Sequence, residues 1–287
     1  KKSRAKISAW SNRARWSSLC LQKRAIDAVP RTIIKTRAIV LRTMRMGETS
    51  SLVTLYAQEC GKLKAMARGA RKPKSRFGAA LGLMTEIQAV CYVKETRDLQ
   101  TLSECTLLKP APDLSQSLER LSFGSAACEL VDRLTIEGEN NLRLYQCLSG
   151  ILYGLAEVEP EQVESLFWYF QLRAAAALGY RPELRQCITC QRELVGPSSW
   201  FSAALGGGLC SACGPGNGVR LAQHSLRFLA ALQGLRTYSK EALPQAPAQR
   251  GEIRMALRSF LEYHGGEYSR LKSLDFLDGL NKAALPA

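Results

Sequence analysis

The stretch that decides the fold is residues 86–121, EIQAVCYVKETRDLQTLSECTLLKPAPDLSQSLERL. Its first eight residues alternate, placing Ile87, Ala89, Cys91 and Val93 on one side, which is the period of a strand with one buried face. The charged turn 94–98 separates this run from a second, 101–106. Pro110-Ala111-Pro112 then ends the pattern, because proline lacks a ladder donor and restricts the residue before it. Beyond Asp113 the spacing becomes helical, with Leu114, Leu118, Leu121, Leu130 and Leu134 on one stripe. A boundary between two kinds of structure falls at the proline pair.

Working back toward the N-terminus, runs 33–41, 52–56 and 63–67 are also short, β-branched and alternating, with Gly47 and Cys60-Gly61 as turn signals between them. Five short strands in so little chain predict a small β-barrel. Working forward, Tyr145, Leu148, Leu152 and Leu155 share a helical stripe. A further helix is expected from Pro160 to the capping Gly179, and two more over 226–235 and 253–264. The fold class expected is α+β and multidomain.

The chain has 287 residues, 46% of them hydrophobic, and a formal net charge of +15. Such an excess of Lys and Arg favours a polyanionic partner through counterion release. No apolar run is long enough to span a bilayer. Residues 1–31 carry nine basic side chains against one acid, lack an initiator Met and lack a secretory hydrophobic region. Three readings stay open for them: translated upstream sequence, a targeting peptide or a disordered basic arm. Of ten cysteines, Cys60, Cys91, Cys105, Cys128 and Cys147 read as core thiols, which suits a reducing cytoplasm.

Four others form a pattern. Cys187-x2-Cys190 and Cys210-x2-Cys213 are separated by 19 residues, a spacing typical of a structural zinc site with four thiolate ligands. Glycines 206–208 and Gly214 supply the backbone freedom such turns need. Four thiolates close the zinc shell, so the expected Zn2+ is structural, one ion per chain. A redox CxxC, unliganded thiols and an iron–sulfur cluster are the competing readings.

Residues 61–76, GKLKAMARGARKPKSR, hold seven basic side chains and no acid. Arg37, Lys62, Lys64, Arg68, Arg71, Lys72, Lys74 and Arg76 are the candidate nucleic-acid-binding residues, neutralising phosphates without reading sequence. Phe77 follows and is a candidate for stacking a base. The alternative is a solvated basic hairpin. Catalytic constellations are missing: there is no phosphate loop, no deaminase signature, and His224 and His264 read as helix-face residues. The expectation is a non-enzyme.

The segments Thr36-Arg37-Ala38-Ile39-Val40-Leu41, Glu48-Thr49-Ser50-Ser51, Ala67-Arg68-Gly69-Ala70-Arg71-Lys72 and Ser75-Arg76-Phe77 resemble the N-terminal domain of the bacterial RecO DNA-repair proteins. Leu178-Gly179-Tyr180-Arg181-Pro182, Phe201-Ser202, Gly206-Gly207-Gly208-Leu209-Cys210 and Leu271-Lys272-Ser273 resemble the rest of that family, in the same order. The resemblance implies an OB-fold domain over 32–110 and an α-helical domain over 111–280, with a zinc module inserted at about 183–218. A basic extension, 1–31, and a tail, 281–287, would flank them. It implies binding to single- and double-stranded DNA, strand annealing, and, with RecR, promotion of RecA loading onto DNA coated by single-stranded-DNA-binding protein. It places the protein in the bacterial cytoplasm at the nucleoid. The acidic, apolar C-terminal tail of single-stranded-DNA-binding protein would dock on the helical domain, where Arg133 and Arg173 lie on suitable helices. The basic extension is outside the family pattern, and some members lack the cysteines. A zinc-containing RNA-binding or ribosome-associated protein is the alternative, and a metal-dependent nucleic-acid enzyme a more remote one.

Overall fold

The computed structural model describes residues 32–94, 96–114, 117–265 and 271–283, so the expectation for 1–31 lies outside the described residues. Five strands come first: β1 Thr32–Met46, β2 Ser50–Ala57, β3 Gly61–Ala67, β4 Glu86–Val93 and β5 Gln100–Lys109. β1 serves two neighbours, pairing with β4 through Thr32–Ile39 and with β2 through Ala38–Met46. A bulge between Val40 and Arg42 lets one strand turn from the first partner to the second. Alternation decides the interior: Ala38, Val40, Val53, Leu55, Leu63, Ala65, Ile87, Ala89, Cys91 and Leu102 fill a dry core.

Helices α1 Leu118–Leu134, α2 Leu142–Glu157 and α3 Val163–Ala177 follow. Ser117 caps α1 by accepting from the Arg120 N–H, and Asn141 caps α2 by accepting from the Leu144 N–H at 3.0 Å. The Asn141 amide also donates to the Ala177 carbonyl at 2.8 Å, so one side chain satisfies the start of α2 and the end of α3. α4 Gln223–Gly234, α5 Arg250–His264 and α6 Lys272–Ala283 complete the chain. α5 is fixed to α3 by Arg250 and Arg254, which both pair with the buried Glu164. α6 was not expected from the sequence. Its start is capped by Glu129 of α1, whose carboxylate accepts from the Lys272 and Ser273 N–H groups.

The expected fold, an OB-fold β-barrel followed by an α-helical domain, needs correction in three respects. The strands do close into a barrel, but only through a short seam. The circuit β1-β2-β3-β5-β4 is completed between β3 and β5 by only three parallel pairs, Ala65↔Gln100, Met66↔Thr101 and Ala67↔Leu102. The N-terminal part of β3 lies instead along the segment after α1, where Lys62 bridges Glu137 and the Gly138 N–H donates to the Lys62 carbonyl at 3.1 Å. Beyond their own interior core, the strands also contribute to the helical one. Ile39, Leu41, Tyr56 and Met84 belong to the same buried cluster as Leu114, Phe123, Ala126 and Leu130. Finally, the second half is not purely helical: β6 Ser198–Ser202, β7 Gly207–Leu209 and β8 Val219–Ala222 form an antiparallel sheet in the order β7-β6-β8.

Gly61 sits at this junction with φ +67°, and a Cβ there would fall 1.8 Å from the Glu139 carbonyl oxygen. Backbone cannot swing aside as a side chain can. Gly61→Ala is therefore expected to destabilise the protein by about 2–4 kcal/mol, combining left-handed strain with overpacking. Chemical denaturation of the two proteins side by side checks this; an unchanged midpoint would remove the junction from the list of constraints.

Candidate nucleic-acid interface and metal centre

The eight predicted DNA-binding residues do not form one group. Lys62 is largely buried and reaches the end of α1, where its ammonium donates to the Asp132 carbonyl and pairs with the Asp132 carboxylate at 3.5 Å. Lys64 pairs with Glu137 at 2.7 Å, and this hydrogen bond raises its pKa further. Both lysines thus tie β3 to the helical half. Arg37 is exposed in the first half of β1, nine residues before Met46 and so up to about 30 Å along the strand from the turn that holds the basic loop. Sequence spacing could not foresee Asp132 or Glu137, which lie 70 and 73 residues from their partners.

Arg68, Arg71, Lys72, Lys74 and Arg76 are brought together, all exposed, on the loop after β3. The loop is held in successive turns by Lys72 N–H to Gly69 carbonyl and Ser75 N–H to Lys72 carbonyl bonds of 3.1 and 3.0 Å. It is also fastened to the β1–β2 turn: the Arg71 N–H donates to the Thr49 carbonyl at 3.0 Å, and the Arg71 guanidinium donates to the Gly47 carbonyl at 3.2 Å. That attachment joins the loop to a second source of charge, Arg42 and Arg45, exposed on the outer half of β1. The sequence reading missed both because it ended the strand at Leu41, whereas the strand runs on to Met46. Among the described residues, no carboxylate lies within ion-pair distance of these seven cations, although Glu48 is on the same turn.

Phe77 does not stack a base. It is 2% exposed, packed into the strand core, with the Arg76 guanidinium 5.2 Å from its ring centre. The phenylalanine anchors the loop, and the arginine covers it.

The four cysteines converge. Their sulfurs lie within 4.8 Å of one another, and Cys190 Sγ is 3.7 Å from Cys210 Sγ. That separation is too long for a disulfide and matches the edge, about 3.8 Å, of a tetrahedron with metal–sulfur bonds of about 2.3 Å. The second pair follows β7 directly, and the first pair is laid against it, with the Ile188 N–H donating to Gly208 and the Gly208 N–H to Glu183. Gly207 has no room for a side chain, since a Cβ would lie 2.5 Å from the Glu183 carbonyl oxygen. Burial pushes the Cys187 thiol up, but N–H groups of Cys190, Cys210 and Thr189 aimed at its sulfur hold it down to about 6. Cys213, hydrogen-bonded to the side chains of Cys210 and Cys190, is pushed up to about 12. Four sulfurs so close share protons unless a cation neutralises them, so the cluster is equipped to coordinate a metal ion.

The five thiols read as core are buried wholly or in part. Cys60, Cys91 and Cys128 are buried, Cys105 and Cys147 partly so, and burial pushes Cys91 and Cys128 up to about 12. His224 and His264 lie on α4 and α5; His264 stacks on Tyr180 and its Nε2 is 3.1 Å from the Ala203 carbonyl oxygen. No helix among the described residues is long and apolar enough to cross a membrane.

Residues 32–111 match the family model described as "Recombination protein O N terminal" and residues 115–275 the one described as "Recombination protein O C terminal". A protein named DNA repair protein RecO from Pelotomaculum thermopropionicum is 38% identical over 253 residues, covering 88% of this chain and 96% of the relative. The proteins of that name from Salinibacter ruber and Symbiobacterium thermophilum are 36% and 33% identical, covering 81% and 85% of this chain and 88% and 96% of the relatives. No finding favours the RNA-binding or ribosomal alternative. The two models in sequence and full-length relatives in several bacteria mean that the chain belongs to the RecO family and is a non-catalytic mediator of DNA repair and recombination.

Proposed function

We propose that the protein holds DNA by its phosphates on the surface formed by the β1–β2 turn and the loop after β3, and presents it for annealing and for RecA loading at the nucleoid. The observation that carries this reading is the attachment of Arg71 to Gly47 and Thr49, which merges two separate sequence segments into one basic surface. Arg42, Arg45, Arg68, Arg71, Lys72, Lys74 and Arg76 are its cations. Such contacts neutralise phosphates without reading bases, so both single and double strands are ligands. Annealing follows because two strands held on fixed cations repel each other less.

The metal is Zn2+, bound by Cys187, Cys190, Cys210 and Cys213. It is structural, because four thiolates leave no open position for substrate or water.

A groove of about 530 Å³ between α2, α3 and the segment after α4 suits the acidic C-terminal tail of single-stranded-DNA-binding protein. Its walls carry Arg143, Arg173 and Arg236, and its floor includes Ile151, Leu166 and Phe170. Apolar side chains of a peptide fit such a floor while the arginines meet its carboxylates. Arg133, the other sequence candidate, pairs with Glu129 on its own helix. RecR is the further partner, acting with the docked protein to open the coated DNA to RecA.

Three outcomes are expected. If five to seven phosphate contacts form, the log affinity for single strands falls against log salt with a slope of about −3.5 to −5. Replacing Arg68, Arg71, Lys72 and Lys74 with Ala should make that slope shallower by about 3, whereas Lys62→Met should lower stability and leave the slope alone; a flat response of the unaltered protein sinks the interface. Metal analysis should find one zinc per chain, and Cys187→Ser should lose the metal and the hydrogen-exchange protection of β6–β8 before it loses DNA affinity. Iron in place of zinc, or DNA binding lost from a fully folded variant, would contradict this assignment. Arg173→Ala with Arg236→Ala should weaken capture of an immobilised acidic tail peptide at least tenfold, and retention of full capture would move the tail elsewhere.

A further inference from the structure

The outer face of the first three strands bears an apolar strip that phosphate binding does not use. Met44 on β1 pairs with Leu52 on β2, which pairs with Met66 on β3. Residues directly opposite in a sheet point to the same side. That side is outward, because their sequence neighbours Val53, Ala65 and Ala67 belong to the interior core. Met46 continues the strip toward the turn. Met44 is 43% exposed and Met46 39%, with Leu52 and Met66 half-buried beneath them. Three of the five methionines of the chain, Met44, Met46 and Met66, therefore share one patch. Single exposed apolar residues are ordinary, but these are contiguous and in register across three strands.

Charge indicates what covers them. Arg42 lies two residues from Met44 on the same strand, and Arg68 two residues beyond Met66, so cations stand at both margins. An apolar protein surface has no need of that border; a polyanion with flat, polarisable faces does. We propose that Met44, Met46, Leu52 and Met66 receive unstacked bases of single-stranded DNA whose phosphates are held by Arg42 and Arg68, a role that rests on the phosphate-binding surface proposed above. The strip spans about 10 Å across three strands; unstacked bases need more than the rise of about 3.4 Å between stacked ones, so it has room for one or two. Thioether sulfur makes favourable contacts with aromatic rings and its flexible chain tolerates any base. Duplex DNA keeps its base faces stacked inside and gains nothing from the strip. Contact through base faces also leaves the pairing edges free, which is the arrangement annealing requires.

The test compares the full chain with M44T/M66T and M44L/M66L by fluorescence anisotropy on a single-stranded oligonucleotide and its duplex over a range of salt. Threonine keeps the strand propensity of these positions, and unchanged melting temperatures certify folding. The Thr variant should bind single strands about five- to tenfold more weakly, with the duplex affinity and the salt slope unchanged. The Leu variant, which retains an apolar surface, should recover most of the loss. Equal weakening of single strand and duplex, or no weakening of either, overturns the strip while leaving the phosphate reading intact. Loss of binding to a second protein with DNA affinity unchanged would assign the strip to a protein partner and overturn it as well. A flat salt response of the unaltered chain would instead overturn the phosphate surface, and the strip with it.

Discussion

The contact on which the rest depends is the packing of the strand ring onto α1. Ile39, Leu41, Tyr56 and Met84 leave the ring's own interior and enter the helical core beside Phe123, Ala126 and Ala127. Gly124 makes the approach possible, since the Met84 side chain passes within 3.0 Å of where a Cβ would stand. Met84 itself holds φ +67°, a conformation that costs an ordinary L-residue about 1–2 kcal/mol. Burial of its side chain offsets that cost. Nearby, Tyr145 donates to the buried Glu86 carboxylate at 2.9 Å, a bond that needs one orientation of the ring and no other. Desolvation, reinforced by that bond, pushes the Tyr145 hydroxyl well above the usual tyrosine range, so it stays a donor at any physiological pH.

This docking divides the cations of the ring into two classes. Those on the helical side, Lys62 and Lys64, are consumed by Asp132 and Glu137. Those at the far ends of β1 and β3 have no acidic ion-pair partner among the described residues. The zinc-type cluster belongs to a third place, where a three-stranded sheet too small to hold itself is pressed on α4 and α5. A metal bound there is worth about 10–16 kcal/mol, far more than the burial of Phe201, Leu209 and Leu221 supplies alone.

How much of this was legible in the sequence depends on the range of the interaction concerned. Period and punctuation located all five strands of the ring, and β4 agrees with its expected limits because turn residues bound it on both sides. The end of β1 was misplaced by five residues: the bulge after Val40 breaks the alternation, so Arg42 to Met46 no longer read as strand. The cysteine spacing carried its meaning locally, since each pair is a tight turn, and the four sulfurs meet. The sheet around them was hidden, because Gly207-Gly208-Leu209 has no strand propensity and is extended only through its pairing with β6. Phe77 was misjudged for a related reason: an aromatic beside a basic run suits stacking on a base or anchoring the loop, and only tertiary packing separates the two.

The bulge that obscured β1 also explains its role. A regular strand of fifteen residues pairing with one neighbour would form a flat, long edge. Re-aiming at Val40 lets the first half pair with β4, while the second half, carrying Arg42, Arg45, Met44 and Met46, pairs with β2, which is itself zipped to β3. The turn between β1 and β2 gains from an anchor, since loose turn residues would cost ordering entropy on every encounter. Arg71 supplies it through Gly47 and Thr49, and the same bonds bring the loop cations alongside. The positions of charge and apolar strip at this end of the sheet are therefore set by hydrogen bonds within the protein itself, so a flexible ligand bound there would meet a preformed surface.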